Sequence, residues 1–333
     1  MKHRIISLRA VSILVATLTI AVSMPAFSQA QTVSAQPASG VVKSGANPLQ
    51  VALLRWYPAN LATTIAVGAA PQCLAFDGEN MWVVNSGSNA VTEIQAGTGK
   101  VLGTFAVGPN PYGAAFDGAN IWVTNAGSNN VTKLQASDGA TLGTFTVGTV
   151  PTGIAFDGAN IWVTNQGDNS VTVLRASTGQ VLGTIAVGAQ PDAVFFDGAH
   201  VWVANTGSNS VIKLSATGKI LGTFAVGTFP GAFAFDGENI WVANLGSNTV
   251  TKLQASTGDV LATISTGTTP VAVAFDGANI WVTNAGSKNV VKLQASSGKV
   301  LGTFAGKNFP NFVAFDGANM WVSNFIDNTV SKF

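Results

Sequence analysis

The chain is poor in the residues that usually carry chemistry. It has one cysteine among 333 residues, Cys73, so no intramolecular disulfide can form. It has two histidines and no Cys/His cluster, which excludes a zinc site of the usual spacing. Charged residues make up only 9% of the sequence, against 47% apolar residues. No Gly-rich phosphate loop, Ser-His-Asp arrangement or haem-attachment motif is visible. After the first thirty residues no segment is long and apolar enough to span a bilayer.

Those first thirty residues differ from the rest. Lys2, His3, Arg4 and Arg9 precede the uncharged apolar run Ala10 to Val22, and Ser28-Gln29-Ala30 supplies small residues for a peptidase. This pattern predicts a secretory signal cleaved after Ala30, and hence an exported protein, periplasmic or extracellular. Removing it takes away Lys2, Arg4 and Arg9, leaving 13 basic against 15 acidic residues, a formal charge of −2. That balance argues against nucleic acid as a partner, because phosphate binding needs concentrated Lys and Arg. No cysteine lies near the cleavage point to carry a lipid, so no stable membrane anchor is expected. Residues 31–50, rich in Ser, Ala, Pro and Gly, read as a linker.

The remainder, residues 51–333, is one domain made of repeats. Phe-Asp-Gly-Ala-Asn-Ile-Trp-Val-Thr-Asn at 116–125 recurs with little change. The turn aspartates are Asp77, Asp117, Asp157, Asp197, Asp236, Asp276 and Asp316, spaced 40 apart except for one interval of 39. Trp82, Trp122, Trp162, Trp202, Trp241, Trp281 and Trp321 follow in register. A period of about 40 with four short strands per unit is the signature of a propeller blade. In the second repeat, strand a ends at Phe116, strand b is 120–125, strand c is 130–135 and strand d is 141–147. Asp-Gly suits the tight a–b turn, because glycine accepts positive φ and Asp bonds nearby amides.

The expected fold is therefore all-β: a seven-bladed β-propeller with four antiparallel strands per blade. The tryptophans, and the phenylalanines before each Asp-Gly, form the core between blades. The last repeat lacks a strand d, while 61–68 matches 141–148, so an N-terminal outer strand completes the last blade. Closure of this kind leaves no open sheet edge in the ring. Val51 to Leu54 resembles a strand c and would be surplus, as a fifth strand or a cap.

Trp-Val-Thr-Asn at 122–125, 162–165 and 281–284 resembles the signature of the YVTN-type propellers. The frame of Pro151, Asp157-Gly158, Trp162 to Asn165, Val171 and Gly179 is similar to the NHL and streptogramin-lyase-like (virginiamycin B lyase) propellers. The resemblance spans residues 61–333 and implies the propeller architecture. In the lyase it implies histidines and glutamates around magnesium at the mouth of the ring. Here the histidine beyond the signal, His200, falls in an a–b turn on the opposite face, and no b–c loop carries His or Glu. No catalytic residue is carried over, and no cofactor is predicted.

The two faces differ in uniformity. The a–b turns are nearly all Asp-Gly-Ala-Asn, with Glu79, His200 and Glu238 as exceptions, whereas the d–a approaches and b–c loops vary. A uniform frame with a varied rim is how binding loops are usually carried. Tyr112, Phe229, Phe309 and Phe325 place aromatics on that rim, joined by Asp168, Asp192, Lys288, Asn311 and Asp327. Asp168, Asp192 and Asp327 suggest one acidic side of the mouth, able to hold a divalent cation or a basic ligand. The asparagines ending each strand b (Asn85, Asn125, Asn165, Asn205, Asn244, Asn284 and Asn324) read as structural, bonding loop backbone. Cys73 reads as small-residue packing. The expected function is a monomeric, non-catalytic module binding a protein, peptide or glycan through the varied face. The alternatives are a lyase or hydrolase of the streptogramin-lyase-like type, or an envelope structural protein.

Overall fold

The repeated turn explains why each unit folds as it does. In the computed structural model, which describes residues 63–333, Asp117 Oδ1 accepts the amides of Ala119 and Asn120, pinning the a–b turn. Its Oδ2 accepts the indole N–H of Trp122 at 2.7 Å. The same indole bond recurs from Trp82 to Asp77, Trp202 to Asp197 and Trp321 to Asp316. The indole is thus buried with its one polar atom satisfied, as burial of a donor requires. Trp82, Trp122, Trp202, Trp241 and Trp321 have no exposed surface.

Among the described residues, 28 strands form seven four-stranded antiparallel sheets. Blade one runs from Pro71 to Ala106, blade two from Pro111 to Thr146, and the rest follow in sequence to blade seven, which begins at Pro310. The first strand of each blade is innermost, packed against its counterparts in the two neighbouring blades. Blade seven is closed by β1 (Thr63–Ala66), which pairs antiparallel with β28 (Thr329–Lys332), Thr63 opposite Lys332 and Ala66 opposite Thr329. The N-terminal closure is therefore as the repeats imply. The expected signal, the linker and the surplus strand at 51–54 lie outside the described residues.

Two details differ from expectation. Closure seals the seam, but every blade still ends in an outer edge strand. Five of those strands carry an exposed apolar pair: Val101-Leu102, Val181-Leu182, Ile220-Leu221, Val260-Leu261 and Val300-Leu301. Also, a lysine of strand c lies over the tryptophan directly opposite it on strand b. Lys133 Nζ is 4.8 Å from the Trp122 ring and donates to the Ala176 carbonyl of the next blade at 2.8 Å. Lys213, Lys252 and Lys332 reach Ala255, Ala295 and Ala96 in the same way. Each such lysine joins two blades at the a–b face.

The closing contact is also specific. Ile65 of β1 packs against Gly99 in the c–d turn of blade one, where an added Cβ would come within 3.1 Å of Ile65 Cδ1. Gly99 has φ +74°, so the position favours glycine on both counts.

Candidate functional site

The varied face is built by two left-handed residues per blade passage. The residue before each proline of strand a has positive φ: Ala70, Asn110, Val150, Gln190, Phe229, Thr269 and Phe309. That conformation is rare for side-chain-bearing residues and rarer before proline, so something must hold it. The holder is the asparagine of the preceding b–c loop, itself left-handed. Asn129 Oδ1 accepts the Val150 amide at 2.9 Å, and Asn328 does the same for Ala70 across the ring seam. Asn89, Asn169, Asn209 and Asn248 serve the other passages. Between blades six and seven the asparagine is replaced by Lys288, whose ammonium goes to Asn308 Oδ1 at 3.1 Å.

A second loop bond explains two of the three acids. Ser88, Ser208, Ser247 and Ser287 each accept the amide of a residue in the preceding d–a passage. Asp168 and Asp327 occupy this serine position. Asp168 accepts the Thr149 hydroxyl and amide, and Asp327 accepts the Asn308 side chain and amide. These bonds lower both carboxyl pKa values, for Asp327 with help from Lys307 and Lys288. Both acids are fastened to their own passages. They do not form an acidic wall with Asp192, and no group of three or more His, Cys, Asp or Glu among the described residues is placed to hold a metal.

Tyr112, Asp192 and Asn311 are not on the rim. They are 7%, 2% and 0% exposed. Each directly follows the proline of strand a, the innermost strand, as do Gln72 and Thr152. Reversal at the left-handed residue turns the chain down, so the next side chain enters the axis rather than solvent. Asn311 Nδ2 donates to Gln72 Oε1 of blade one at 2.9 Å. Tyr112, on the innermost strand of blade two, belongs to the same buried cluster as Cys73 of blade one, and the charge of Asp192 of blade four acts on its phenol. Three polar atoms of this cluster, Tyr112 Oη, Asp192 Oδ1 and Asn311 Oδ1, are buried without a hydrogen-bond partner. Burial pushes the Tyr112 phenol and the Asp192 carboxyl well above their ordinary pKa values. The sequence signal for this cluster is the residue after each strand-a proline, a position whose pattern resembles loop.

The rim itself is apolar on one side. Phe229 is 49% exposed and Ile326 60% exposed. Phe309 and Phe325 are half-buried with ring centroids 5.7 Å apart, and Phe309 packs with Leu245 on Val271 and Ala285. Lys288 is exposed beside them. Blades five to seven therefore carry an apolar arc above the polar axis. Leu245 and Ile326 extend the aromatics expected from the sequence.

Solved structures share this fold. The chain matches one titled "Streptogramin B lyase structure" with a TM-score of 0.70 and 18% identity, over 81% of this chain and 96% of that one. It matches another titled "Kuenenia stuttgartiensis Hydrazine Synthase" with a TM-score of 0.71 and 22% identity, over 81% of this chain and 96% of that one. No family model matches the sequence, and no curated protein matches it. The YVTN and NHL likeness thus rests on the repeat residues quoted above, while the architecture is that of the streptogramin-lyase type of propeller.

The remaining sequence candidates stay structural. The asparagines ending strand b are fully buried, and the Asn125 and Asn324 amides donate to Thr132 and Ser331 of strand c. His200 lies 3.7 Å from Asp197 in its own turn. Cys73 is buried, with its thiol directed to the Leu74 and Ala114 carbonyls.

Asp192 gives a measurable expectation. An unfolded aspartate titrates near ~3.9, and the folded carboxyl titrates well above that. Its favourable contribution is present below the unfolded value and is lost as pH rises through the folded one. D192N removes this titration, so the mutant should gain on wild type as pH rises from the unfolded toward the folded pKa, by about 1.4 kcal/mol for each pH unit of that interval. Urea unfolding at acid and at mildly alkaline pH measures the difference. A gap independent of pH would mean that the carboxyl is solvated.

Proposed function

We propose that the loop face is the working face of the ring, and that a ligand sits over the axis. The apolar arc of Phe229, Phe309, Phe325 and Ile326 would form its wall, and Tyr112, Asp192 and Asn311 the polar floor. One observation carries this reading: three buried polar atoms without partners gather at the axis beneath an exposed apolar arc. Apolar walls with a few convergent polar groups and perturbed pKa values are the usual composition of a binding site. Asp168, Lys288 and Asp327 edge the same face.

A lyase- or hydrolase-type activity is at least as well supported as passive binding. The two solved structures of this fold named above are titled as enzymes. A buried carboxyl whose pKa is raised is also a proton donor. In that reading Asp192 is the acid and Tyr112 its partner. We further propose that the protein acts after export, as a monomer, and takes a peptide, protein or glycan ligand. Among the described residues no helix is long and apolar enough to cross a membrane.

The test is a calorimetric screen against peptides, cyclic depsipeptides, glycans and divalent cations, with turnover followed by mass spectrometry. F309A/F325A should weaken binding about tenfold or more while the circular dichroism spectrum is kept. D192N should reduce turnover more than binding if the site is catalytic. A ligand indifferent to all of these, but lost on changing Glu79, His200 or Glu238, would place function on the other face.

A further inference from the structure

On the face opposite the proposed site, blade one breaks a pattern that five of the other six blades keep. Directly opposite Trp82 on strand c stands Glu93, where Trp122 faces Lys133 and Trp241 faces Lys252. In those blades the ammonium occupies one defined place. It lies over the indole face, 3.9 Å from Asp117 Oδ2 or Asp236 Oδ2, and donates to a carbonyl in the next blade's c–d turn.

Blade one retains every part of that ammonium site except the ammonium. Trp82 is present and bonded to Asp77 Oδ2. The neighbouring turn of blade two has full length, with the Gly139 amide bonded to the Gln135 carbonyl, so Ala136 stands where Ala176 and Ala255 stand elsewhere. In place of the lysine, Glu93 brings a second carboxylate, only 7% exposed, and draws the Asn80 amide to itself at 2.8 Å. Asn80 Oδ1 is left buried and without a partner. Asp77, Glu79, Asn80, Glu93 and Ala136 line one open cleft of about 1040 Å³ with apolar walls from Leu102 and Leu142.

Blade three supplies the control. Val173 replaces its lysine, but there the next turn is one residue shorter, with the Gly218 amide bonded to the Ser215 carbonyl. In blade three the receiving turn is shortened and the cation is replaced by an apolar residue, whereas blade six keeps Lys292 over Trp281. In blade one the receiving turn is intact and the cation is replaced by an acid. Burial and the nearby Asp77 and Glu79 raise the Glu93 pKa, as expected of carboxylates gathered without a counter-ion.

We propose that the cleft between blades one and two binds a primary alkylammonium ion, its ammonium taking the place of the missing lysine ammonium among Asp77, Glu93 and the Ala136 carbonyl. Apolar walls beside the carboxylates favour an organic cation over a hydrated metal ion. Leu102 and Leu142 suit the alkyl chain. This inference does not depend on the loop-face reading.

The experiment is titration of the folded protein with n-butylamine and 1,4-diaminobutane, followed by the indole N–H resonance of Trp82, with calcium and tetramethylammonium as comparison cations. Both amines should shift that resonance saturably. Tetramethylammonium, which has no N–H to donate, should bind at least tenfold more weakly. E93Q should weaken amine binding at least tenfold, and E93K, which restores the sister blades' own ammonium, should abolish it while raising the melting temperature. No saturable shift with either amine, calcium binding in preference to amine, or unchanged binding in E93Q would each overturn the proposal.

Discussion

A chain begun at Val67 should melt about 10 °C or more below one begun at Thr63. Removing β1 takes away the antiparallel pairing with β28 and the burial of Ile65 against the turn of blade one. A buried isoleucine contributes about 1.5–3 kcal/mol, and each backbone hydrogen bond about 1 kcal/mol. The expected loss is on the order of 5 kcal/mol, and for a domain of this size each kcal/mol moves the midpoint by about 2–4 °C. The loss should be felt by the whole ring, because the freed edge of β28 lies between blades that pack on both sides. Calorimetry of the two chains decides it. Equal midpoints would mean that β1 decorates the ring without closing it.

Asp117→Ala should cost about 3 kcal/mol or more, a large effect for one turn residue. The carboxylate accepts two turn amides and the indole of a fully buried tryptophan. Hydrogen bonds to a charged group contribute about 1.5–3 kcal/mol, and a buried donor left unsatisfied adds a penalty. Asp117→Asn is the sharper variant. Its oxygen can keep the turn amides, but its NH2 would then face the indole N–H, donor against donor. It should therefore lose most of what alanine loses. Denaturant unfolding of both variants measures this, and a near-neutral Asn variant would show that the indole bond contributes little.

The parts of the fold legible in the sequence are those that repeat. Seven tryptophans at constant spacing admit one arrangement, and the spare strand-d pattern at the front of the ring matches the one missing at its end. The bonds between repeats were not legible. Asp117 to Trp122 is local, yet nothing in the spacing says that the indole turns back to the turn acid. Lys133 reaches Ala176 only because adjacent blades place strand c beside the next c–d turn.

The candidate site failed in a more instructive way. Tyr112, Asp192 and Asn311 follow a proline within a few residues of exposed positions, so they read as loop. A single left-handed residue ahead of that proline reverses the side-chain direction and sends them to the axis. Asp168 and Asp327 are at the face, as expected, but are occupied in holding loop amides. Phe309 stays near the surface because Val271 and Ala285 beneath it already fill the core.

In mechanical terms the ring is a hoop whose joints are not equally fastened. The asparagine clasp on the loop face spans every joint except that between blades six and seven, where Lys288 stands instead. On the other face the lysine clasp is missing there too. Lys292 lies over Trp281 and beside Asp276, but blade seven has no c–d turn to receive it, since its outer strand comes from the other end of the chain. Tension around the hoop at that joint falls instead on strand packing and on bonds such as that from the Thr283 hydroxyl to the Asn311 carbonyl. The weakest joint is thus one blade away from the seam where β1 and β28 pair, and it lies beside Phe309.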